Sequence, residues 1–335
     1  MRALLSTAPG GPETLRLGEL PDPVAGAGEV VIDVTVCGVN FPDSLIIADK
    51  YQFNPDRPFA PGAEVAGIVA EVGPGVDNVA PGDRVMAMCG WGGMAEKVVV
   101  PAAACVTMPD SMSYAEGASF LVTFGTSYHA LKQRGQLQAG ERLLVLGSSG
   151  GVGLAAIALG RAMGAHVIAT ASSQEKLDFA MAHGAHEGFV YPRSTTPDEQ
   201  KDLNTLIKDG AGKVDVVYDP VGGPWSEAAV RSLAWNGRLL VVGFPAGISR
   251  LPLNLLLLKG ASAVGVFYGE FTTQEPEANA QNNCELTAFF EAGKVRPTIS
   301  ESYAFAAGGD AIEHLSSRRA VGKVVVEIGS GEGLE

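Results

Sequence analysis

The stretch from residue 143 to residue 176 reads LLVLGSSGGVGLAAIALGRAMGAHVIATASSQEK. The apolar run at Arg142–Leu146 predicts a buried strand, and after a glycine-rich turn the Ala- and Leu-rich segment predicts a helix over Gly153–Met163. Glycines between a strand and a helix let the backbone approach an anion, which the free N–H groups and the dipole of the helix N-terminus stabilise. This order of elements indicates a dinucleotide-binding βαβ unit.

The glycine turn has the spacing Ser148-x-Gly150-x-x-Gly153, in which Ser replaces the first glycine of the G-x-G-x-x-G fingerprint. A similar turn can occur in an α/β fold that binds no ligand, but the flanking strand and helix favour cofactor binding. The residues expected to contact a pyrophosphate, mainly through backbone groups, are Ser149, Gly150, Gly151, Val152 and Gly153.

The end of the next predicted strand, Val167–Ala171, indicates which dinucleotide is bound. NAD sites usually carry Asp or Glu there to hold the ribose 2′-hydroxyl, whereas NADP sites lack the acid and place a cation nearby. Here Ser172 follows the strand and Lys176 comes shortly after it, so a hydroxyl and an ammonium can both reach a 2′-phosphate. Glu175 is expected to point to solvent, and the alternative for Lys176 is a solvated helix face. The pattern predicts NADPH.

The rest of the chain changes character near Thr123. Before that residue, short strands alternate with Pro-Gly turns, which is typical of a small all-β domain or partial barrel. After it, apolar strands alternate with helices at the spacing of parallel βαβ units covered on both faces. The predicted fold class is therefore α/β, a doubly wound parallel Rossmann sheet inserted into a β-rich domain.

The predicted elements define two domains. Strands are predicted at Glu29–Val36, Glu64–Val72, Asp83–Met88, Val214–Tyr218, Arg238–Val242, Ala263–Phe267 and Gly322–Ile328, and helices at Glu175–His183, Trp225–Leu233 and Asn282–Glu291. The β-rich domain is expected over residues 1–123 and 268–335, and the NADPH-binding domain over residues 124–267.

Composition narrows the possible partners and location. The 335 residues carry 24 Lys and Arg against 37 Asp and Glu, a net charge of −13, which argues against a nucleic acid or an anionic membrane as the main partner. The four cysteines lie far apart without a C-x-x-C pair, as expected for reduced thiols in a cytosolic protein. Neither a leader-like apolar segment nor a run long enough to span a bilayer is visible. We expect a cytoplasmic protein.

Several further motifs resemble a known family. CGVNFPDSL at Cys37–Leu45, RPFAPGAEVAGIVAEVG at Arg57–Gly73 and GTSYHAL at Gly125–Leu131 are similar to motifs of the medium-chain dehydrogenase/reductase superfamily. YDPVGG at Tyr218–Gly223 and GRLLVVGF at Gly237–Phe244 resemble its zinc-free quinone oxidoreductase branch. The similarity covers nearly the whole chain and implies that the β-rich domain is a GroES-like catalytic domain.

The resemblance also bears on metal binding. The alcohol dehydrogenases of the superfamily hold a catalytic zinc through Cys, His and Cys, and at the first two of these positions this chain has Asn40 and Ala63. Neither residue can replace a thiolate or an imidazole, and the four-Cys lobe of a structural zinc is missing. We therefore expect no metal. Without a Lewis acid, the feasible chemistry is hydride transfer to an acceptor that is already electrophilic.

The resemblance implies three catalytic residues in a cleft between the domains. Asn40 matches a position beside the nicotinamide, where its amide could donate to an acceptor carbonyl or the cofactor ribose; alternatively it caps the turn that follows. Tyr51 matches a tyrosine that could donate a proton or a hydrogen bond to the substrate, or it serves packing alone. Thr126 matches a threonine that orients the nicotinamide. Asp43 is expected in the first turn of a helix, and His129 as a buried, satisfied histidine.

Further cofactor contacts are implied by the same resemblance. Tyr191 matches a tyrosine near the 2′-phosphate. Gly243 and Phe244 would border the nicotinamide ribose, and Phe267, at the tip of the last strand, would lie near the carboxamide. Arg319 and Lys323 resemble basic residues that reach back to the cofactor, and the alternative for both is a solvated cationic rim.

These expectations lead to an NADPH-dependent, zinc-independent quinone reductase. The same parts would serve a reductase of activated alkenes, such as 2-alkenoyl thioesters, acrylates or alkenals, although the few Lys and Arg residues in the first domain favour a small neutral acceptor. A non-catalytic NADPH-binding protein is the alternative of another class. Family relatives pair the predicted edge strand Ala263–Phe267 across a two-fold axis, so the resemblance also implies a homodimer.

Overall fold

The computed structural model describes residues 1–192 and 199–329. The strands in these residues are β1 Arg2–Leu5, β2 Arg16–Glu19, β3 Glu29–Val39, β4 Glu64–Val72, β5 Arg84–Met88, β6 Lys97–Pro101, β7 Cys105–Thr107, β8 Arg142–Val145, β9 His166–Ala171, β10 Glu187–Val190, β11 Val214–Asp219, β12 Leu233–Val241, β13 Ser262–Gly265, β14 Ile299–Ala304 and β15 Lys323–Glu327. The α-helices are α1 Phe41–Ile46, α2 Tyr114–Gly117, α3 Thr126–His129, α4 Gly151–Ala162, α5 Gln174–Ala182, α6 Glu199–Ala211, α7 Gly223–Ser232, α8 Leu253–Lys259, α9 Tyr268–Gln274, α10 Pro276–Glu291 and α11 Gly308–Ser316. Two π-helical segments, Leu121–Gly125 and Ala130–Arg134, flank α3.

The chain divides into two units, each with its own core. Unit 1 comprises Met1–Val122 and Pro297–Glu335, and unit 2 comprises Thr123–Arg296. The second boundary differs from the expected one, because residues 268–296, which the sequence analysis assigned to the β-rich domain, belong to unit 2. Helix α10 is tied into unit 2 by side-chain hydrogen bonds, since Lys132 Nζ donates to Glu285 at 2.5 Å and Gln133 Nε2 donates to Asn282 at 2.8 Å.

Unit 2 contains a six-stranded parallel sheet in the order β10-β9-β8-β11-β12-β13. Its central strands, β8 and β11, are mostly apolar and mostly buried because helical crossovers connect consecutive strands and cover the sheet. From the centre of the sheet, β8, β9 and β10 follow one another toward one edge, and β11, β12 and β13 toward the other. The topological switch point, where ligands bind in such sheets, therefore lies at the carboxyl ends of β8 and β11. This confirms the predicted Rossmann sheet.

Unit 1 is built on a mainly antiparallel sheet in the order β14-β15-β3-β4-β5-β7, with β6 also paired to β3. Val324 in β15 pairs with Val39 in β3, and Gly38 pairs with Glu64 in β4. These registers bring the last residues of β3 beside the first residues of β4 and β15. The unit confirms the β-rich domain that the sequence predicted.

Some predicted elements have different bounds. β12 begins at Leu233, ahead of the expected Arg238, because Leu233 already pairs with Val214 and a bulge separates this pair from the pairing of Arg238 with Val216. β13 ends at Gly265, so Phe267 is the N-cap residue of α9 and not the tip of a strand. Within the described residues, no helix is long and apolar enough to cross a membrane.

Candidate active site

A buried polar cluster, defined as Asn40, Glu64 and Lys323, joins β3, β4 and β15. Lys323 Nζ donates to Asn40 Oδ1 at 2.9 Å and to Val39 O at 3.2 Å, and it lies 3.3 Å from Glu64 Oε2. Asn40 Nδ2 donates to the same Glu64 oxygen at 3.2 Å. Lys323 is 4% exposed and Glu64 is 0% exposed, so this ion pair is removed from water and depends on its hydrogen bonds.

The remaining atoms of the polar cluster are also engaged. Glu64 Oε1 accepts from Val122 N at 2.9 Å, and Asn40 Nδ2 also donates to Gly38 O at 3.4 Å. A side chain at Gly38 would place its Cβ 1.8 Å from Ala118 O, so only glycine allows this close approach of the backbone. The Asn40 carboxamide is held between an ammonium and a carboxylate, which fixes its orientation.

Asp43 supports the polar cluster from the first turn of α1, as expected. Its Oδ2 accepts from Asn40 N at 2.7 Å, and its Oδ1 accepts from Gly62 N at 3.1 Å. Burial raises the pKa of the Asp43 carboxyl to about 6, although these two backbone hydrogen bonds act in the opposite direction. Tyr51 is half-buried against the core of unit 1. Burial and the nearby Asp43 charge raise the pKa of the Tyr51 phenol, which therefore keeps its proton at neutral pH.

The thiols near the polar cluster behave as core residues. Cys37 is fully buried, as predicted, and its Sγ contacts Gly38 O, while Cys89 Sγ donates to Gly62 O at 3.2 Å. Burial raises the pKa of the Cys37 thiol, which disfavours the thiolate that metal binding needs. Over residues 1–192 and 199–329, no group of three or more His, Cys, Asp or Glu side chains is arranged to hold a metal ion.

In unit 2, the glycine turn contains two glycines with different roles. A Cβ on Gly150, the N-cap residue of α4, would meet only Gly147 O, at 3.7 Å. A Cβ on Gly153 would lie 2.4 Å from Gly147 O and 2.8 Å from Ser148 Cα. Gly153 is therefore required for packing of the turn, whereas Gly150 leaves open space at the N-terminus of a long helix, which fits a pyrophosphate.

The serine in the first position of the fingerprint has a structural explanation. Ser148 is fully buried, and both its backbone N and its Oγ donate to Thr170 O, at 3.0 and 2.8 Å. The hydroxyl thus ties the turn to β9, a contact that glycine could not make.

A second hydrogen-bond chain connects α3 to the glycine turn. Ser127 Oγ donates to Val152 O at 3.0 Å and lies 2.9 Å from the hydroxyl of the fully buried Tyr218 in β11. Thr126, which precedes Ser127, is half-buried at the first position of α3. The chain therefore fixes Thr126 relative to the turn. Sequence reasoning did not single out Ser127 or Tyr218.

The turn after β11 is held by Asp219. Its Oδ1 accepts from Val221 N and Gly222 N, both at 2.9 Å, and Ser226 donates to its Oδ2. Burial raises the pKa of the Asp219 carboxyl. Gly222 has a φ of +76°, and a Cβ there would lie 2.6 Å from Gly247 O. This close approach places the Gly243–Phe244 segment, which follows β12, at the switch-point edge of the sheet.

The predicted 2′-phosphate residues surround the end of β9. Ser172 is half-buried, and Ser173 is the N-cap residue of α5, whose Oγ accepts from Lys176 N at 3.3 Å. Glu175 is exposed, as expected. Tyr191 is buried in the core of unit 2, with its ring centroid 5.8 Å from that of Trp225.

The other candidates occupy varied positions. Phe267 and Phe244 are exposed, and Arg319 is exposed with its Nε donating to Ser317 Oγ. Lys323 is buried and does not belong to a solvated rim. His129 is buried, as expected, and stacked on Phe271 at a centroid distance of 3.9 Å. The ring makes a hydrogen bond with Gln133, but its Nδ1 makes none in the part of the chain described, so the expectation of a satisfied histidine holds for one ring nitrogen only.

The structure thus groups the candidates by unit. Asn40, Tyr51 and Lys323 lie in unit 1, and the glycine turn, Ser172 and Lys176 lie in unit 2. Sequence reasoning missed the role of Glu64. A signal was available, because Glu64 and Lys323 open two mainly apolar strands, EVAGIVAEV and KVVVE, and charged residues must be paired when they are buried.

Comparison with known proteins identifies the class. Residues 26–110 match the family model of the alcohol dehydrogenase GroES-like domain, and residues 151–282 match that of the zinc-binding dehydrogenase domain. The chain is similar to the quinone oxidoreductase-like protein 2 homolog of Nematostella vectensis, with 37% identity over 90% of this chain and 82% of the relative. It is also similar to the quinone oxidoreductase of Rattus norvegicus, with 32% identity over 97% of each chain.

A solved structure agrees with these relatives. The quinone oxidoreductase of Thermus thermophilus, which was also solved in complex with NADPH, aligns with a TM-score of 0.83 and 33% identity over 98% of this chain and 100% of that chain. The fold and the site define an oxidoreductase of the medium-chain dehydrogenase/reductase superfamily. Within it, the chain belongs to the quinone oxidoreductase branch.

Proposed function

We propose that this protein transfers a hydride from NADPH to quinones without a catalytic zinc. The polar cluster is the observation that carries the proposal. The buried ammonium of Lys323 bonds to Asn40 Oδ1 and pairs with Glu64, at the position where zinc-dependent relatives are expected to bind the metal. An ammonium in contact with both polar partners opposes the binding of a second cation by charge repulsion, which supports a zinc-independent reaction.

NADPH is the proposed cofactor, and the glycine turn supports it. Open space above Gly150 at the N-terminus of α4 suits the pyrophosphate, and Ser172 and Lys176 are proposed to bind the 2′-phosphate. The further proposed cofactor contacts are Asn40, Thr126, Ser149, Gly151, Val152, Gly153, Tyr191, Gly243, Phe244, Phe267 and Arg319. Lys323 is not proposed as a direct contact, because its ammonium is buried and bonded to Val39, Asn40 and Glu64. When bound, NADPH supplies the hydride.

The reaction joins a quinone, NADPH and a proton to give a hydroquinone and NADP⁺. The residues of this chain have to bind the acceptor and stabilise the negative charge that develops on its oxygen. Tyr51 is the proposed donor to that oxygen, since its raised pKa keeps the phenol protonated. Both donor contacts of the Asn40 amide are to Glu64 and Gly38, so we propose that Asn40 acts mainly through its fixed dipole beside Lys323.

The test is the consumption of NADPH, followed by nicotinamide absorbance, with 1,4-benzoquinone and crotonyl-CoA as parallel acceptors and a chelator present throughout. We expect turnover of the quinone that the chelator does not change. A higher kcat/KM for crotonyl-CoA would favour the alkene reductase instead. NADPH binding without turnover of either acceptor would favour a non-catalytic NADPH-binding protein.

The proposed partner is a second copy of the chain. In the described residues, β13 is the edge strand of the unit 2 sheet, and Leu253, Leu257 and Leu258 of the neighbouring α8 are exposed. An open edge beside exposed leucines favours pairing with another copy across a two-fold axis. Sedimentation equilibrium of the wild type should give a dimer, and Leu257→Glu should shift it toward the monomer.

A further inference from the structure

Three aromatic side chains in unit 1 form a continuous row, defined here as Tyr51, Phe53 and Trp91. The Tyr51 and Phe53 rings meet edge to face, with centroids 5.1 Å apart and planes at 84°. The Phe53 and Trp91 rings are tilted by 46° with centroids 5.5 Å apart. Tyr51 packs against the core, whereas Phe53 is 40% exposed and Trp91 is 44% exposed. The row therefore presents aromatic surface to solvent at one end.

Trp91, at the outer end of the aromatic row, lies in a loop that two backbone hydrogen bonds hold in place. On either side of Trp91, Gly90 N donates to Ala63 O at 3.3 Å and Gly92 N donates to Ala60 O at 2.8 Å. Gly90 and Gly92 both have positive φ, +77° and +96°, so the loop turns tightly on both sides of Trp91. Together with Phe53, Trp91 forms a contiguous exposed aromatic patch and not a single surface residue, and such patches mark binding sites.

The loop also connects the aromatic row to the polar cluster. Ala63 O, which accepts from Gly90 N, also accepts from Cys89 N at 2.9 Å, and Ala63 directly precedes Glu64 of the cluster. At the other end of the row, Tyr51 lies close enough to Asp43 for its charge to act on the phenol. The aromatic row thus lies beside the buried polar groups of unit 1, joined to them through Ala63 at one end and through the neighbourhood of Asp43 at the other.

We propose that the aromatic row is the acceptor-binding surface and that Phe53 and Trp91 determine specificity, selecting planar multi-ring quinones over small quinones and aliphatic enoyl thioesters. This inference rests on the proposed quinone reductase function. Aromatic rings gain from offset or edge contacts with a flat acceptor in addition to the burial of area, and each further fused ring reaches further along the row. An aliphatic thioester has no ring to match these contacts.

The experiment measures kcat/KM with 1,4-benzoquinone, 1,4-naphthoquinone, 9,10-phenanthrenequinone and crotonyl-CoA for the wild type, Phe53→Leu and Trp91→Leu. Both side chains are substantially exposed, so the variants should fold, which their melting temperatures check. We expect each variant to lose about tenfold in kcat/KM for phenanthrenequinone, less for naphthoquinone and about twofold or less for benzoquinone, with crotonyl-CoA unchanged. Trp91→Phe should recover most of the loss.

The matched control is Trp235→Leu, which removes a 72%-exposed indole from β12 in unit 2 and should leave the acceptor series unchanged. A uniform loss across all four acceptors, or no loss for any of them, would overturn the specificity role while leaving the quinone reductase function intact. A wild type that turns over no quinone would overturn the proposed function itself, and with it this inference. The two failures are therefore distinguishable.

Discussion

The ammonium of Lys323 lies 2.9 Å from the carboxamide oxygen of Asn40, although 283 residues separate them in the chain. The same ammonium pairs with Glu64, so one buried cation orients an amide and neutralises a carboxylate. Since these side chains are shielded from water, each of the three depends on the other two. Removal of one member should therefore cost much more than removal of a surface ion pair.

Lys323→Met tests this dependence. The methionine retains most of the side-chain length, but Glu64 is left buried without a cation, and the free energy of unfolding should fall by about 3–5 kcal/mol. Urea denaturation followed by circular dichroism measures the change. Addition of Glu64→Gln should restore part of it.

The control for the cation is Lys97→Met, which breaks an exposed pair with Asp33 and should cost about 1 kcal/mol or less. Equal losses for the two lysine variants would show that the polar cluster is not a coupled buried unit.

Gly150 and Gly153 should separate cofactor binding from folding. The space around Gly150 accepts a side chain, so Gly150→Val should unfold at nearly the wild-type urea concentration. It should bind NADPH at least about a hundredfold more weakly, because the branched side chain occupies the space of the pyrophosphate. Gly153→Ala meets backbone atoms and should lose about 1–3 kcal/mol of stability. Fluorescence titration with NADPH measures the affinity of each variant, and urea unfolding measures its stability. Normal NADPH binding by Gly150→Val would contradict a pyrophosphate site at this turn.

Lys176→Ala should discriminate between the two nicotinamide cofactors. Loss of a charge-assisted bond to the 2′-phosphate is expected to weaken NADPH binding by roughly 10–100-fold and to leave NADH binding nearly unchanged. Lys208→Ala, on the exposed face of α6, is the control and should change neither affinity. Calorimetric titration of both cofactors gives the ratio. If the affinities for NADPH and NADH fell by the same factor, Lys176 would not bind the 2′-phosphate.

The buried carboxyl of Asp43 should make stability depend on pH. Its folded-state pKa of about 6 lies above the ordinary value of 3.8, so the folded protein holds the proton longer and stability decreases as the pH rises between these values. Between about pH 4.5 and pH 7, the wild type should lose about 2 kcal/mol relative to Asp43→Asn, which does not titrate. Urea unfolding of both proteins across this range measures the difference. Parallel pH profiles would contradict the assignment.

Much of the fold was predictable because local pattern and tertiary structure agree in the central strands. The apolar runs of β8 and β11 are buried on both faces, so their composition alone identified them. Short strands such as β1 and β7 were missed, since they gain their conformation from pairing with partners and not from their own sequence. The start of β12 was wrong for a related reason, because the pairing of Leu233 with Val214 lies across a bulge from the predicted start at Arg238.

The candidate site was predictable where it depends on backbone shape and not where it depends on long-range pairing. The glycine turn was predictable because glycine is the residue that a sharp backbone turn or a close backbone approach requires. The pairing of Lys323 with Asn40 and Glu64 follows from the registers of β15, β3 and β4, which no local pattern encodes. The Ser127–Tyr218 contact was missed in the same way, since a serine in a helix and a tyrosine in a strand carry no signal that they meet.

The placement of β15 also sets an order of events during biosynthesis. Unit 2 lies wholly between the two segments of unit 1, so the ribosome completes it before Lys323 is made. Because domains generally fold as units during synthesis, the Rossmann sheet can form while the GroES-like domain still lacks two strands of its sheet. The Rossmann unit can therefore be complete first, and the GroES-like sheet is completed last, when a strand nearly three hundred residues downstream pairs with β3.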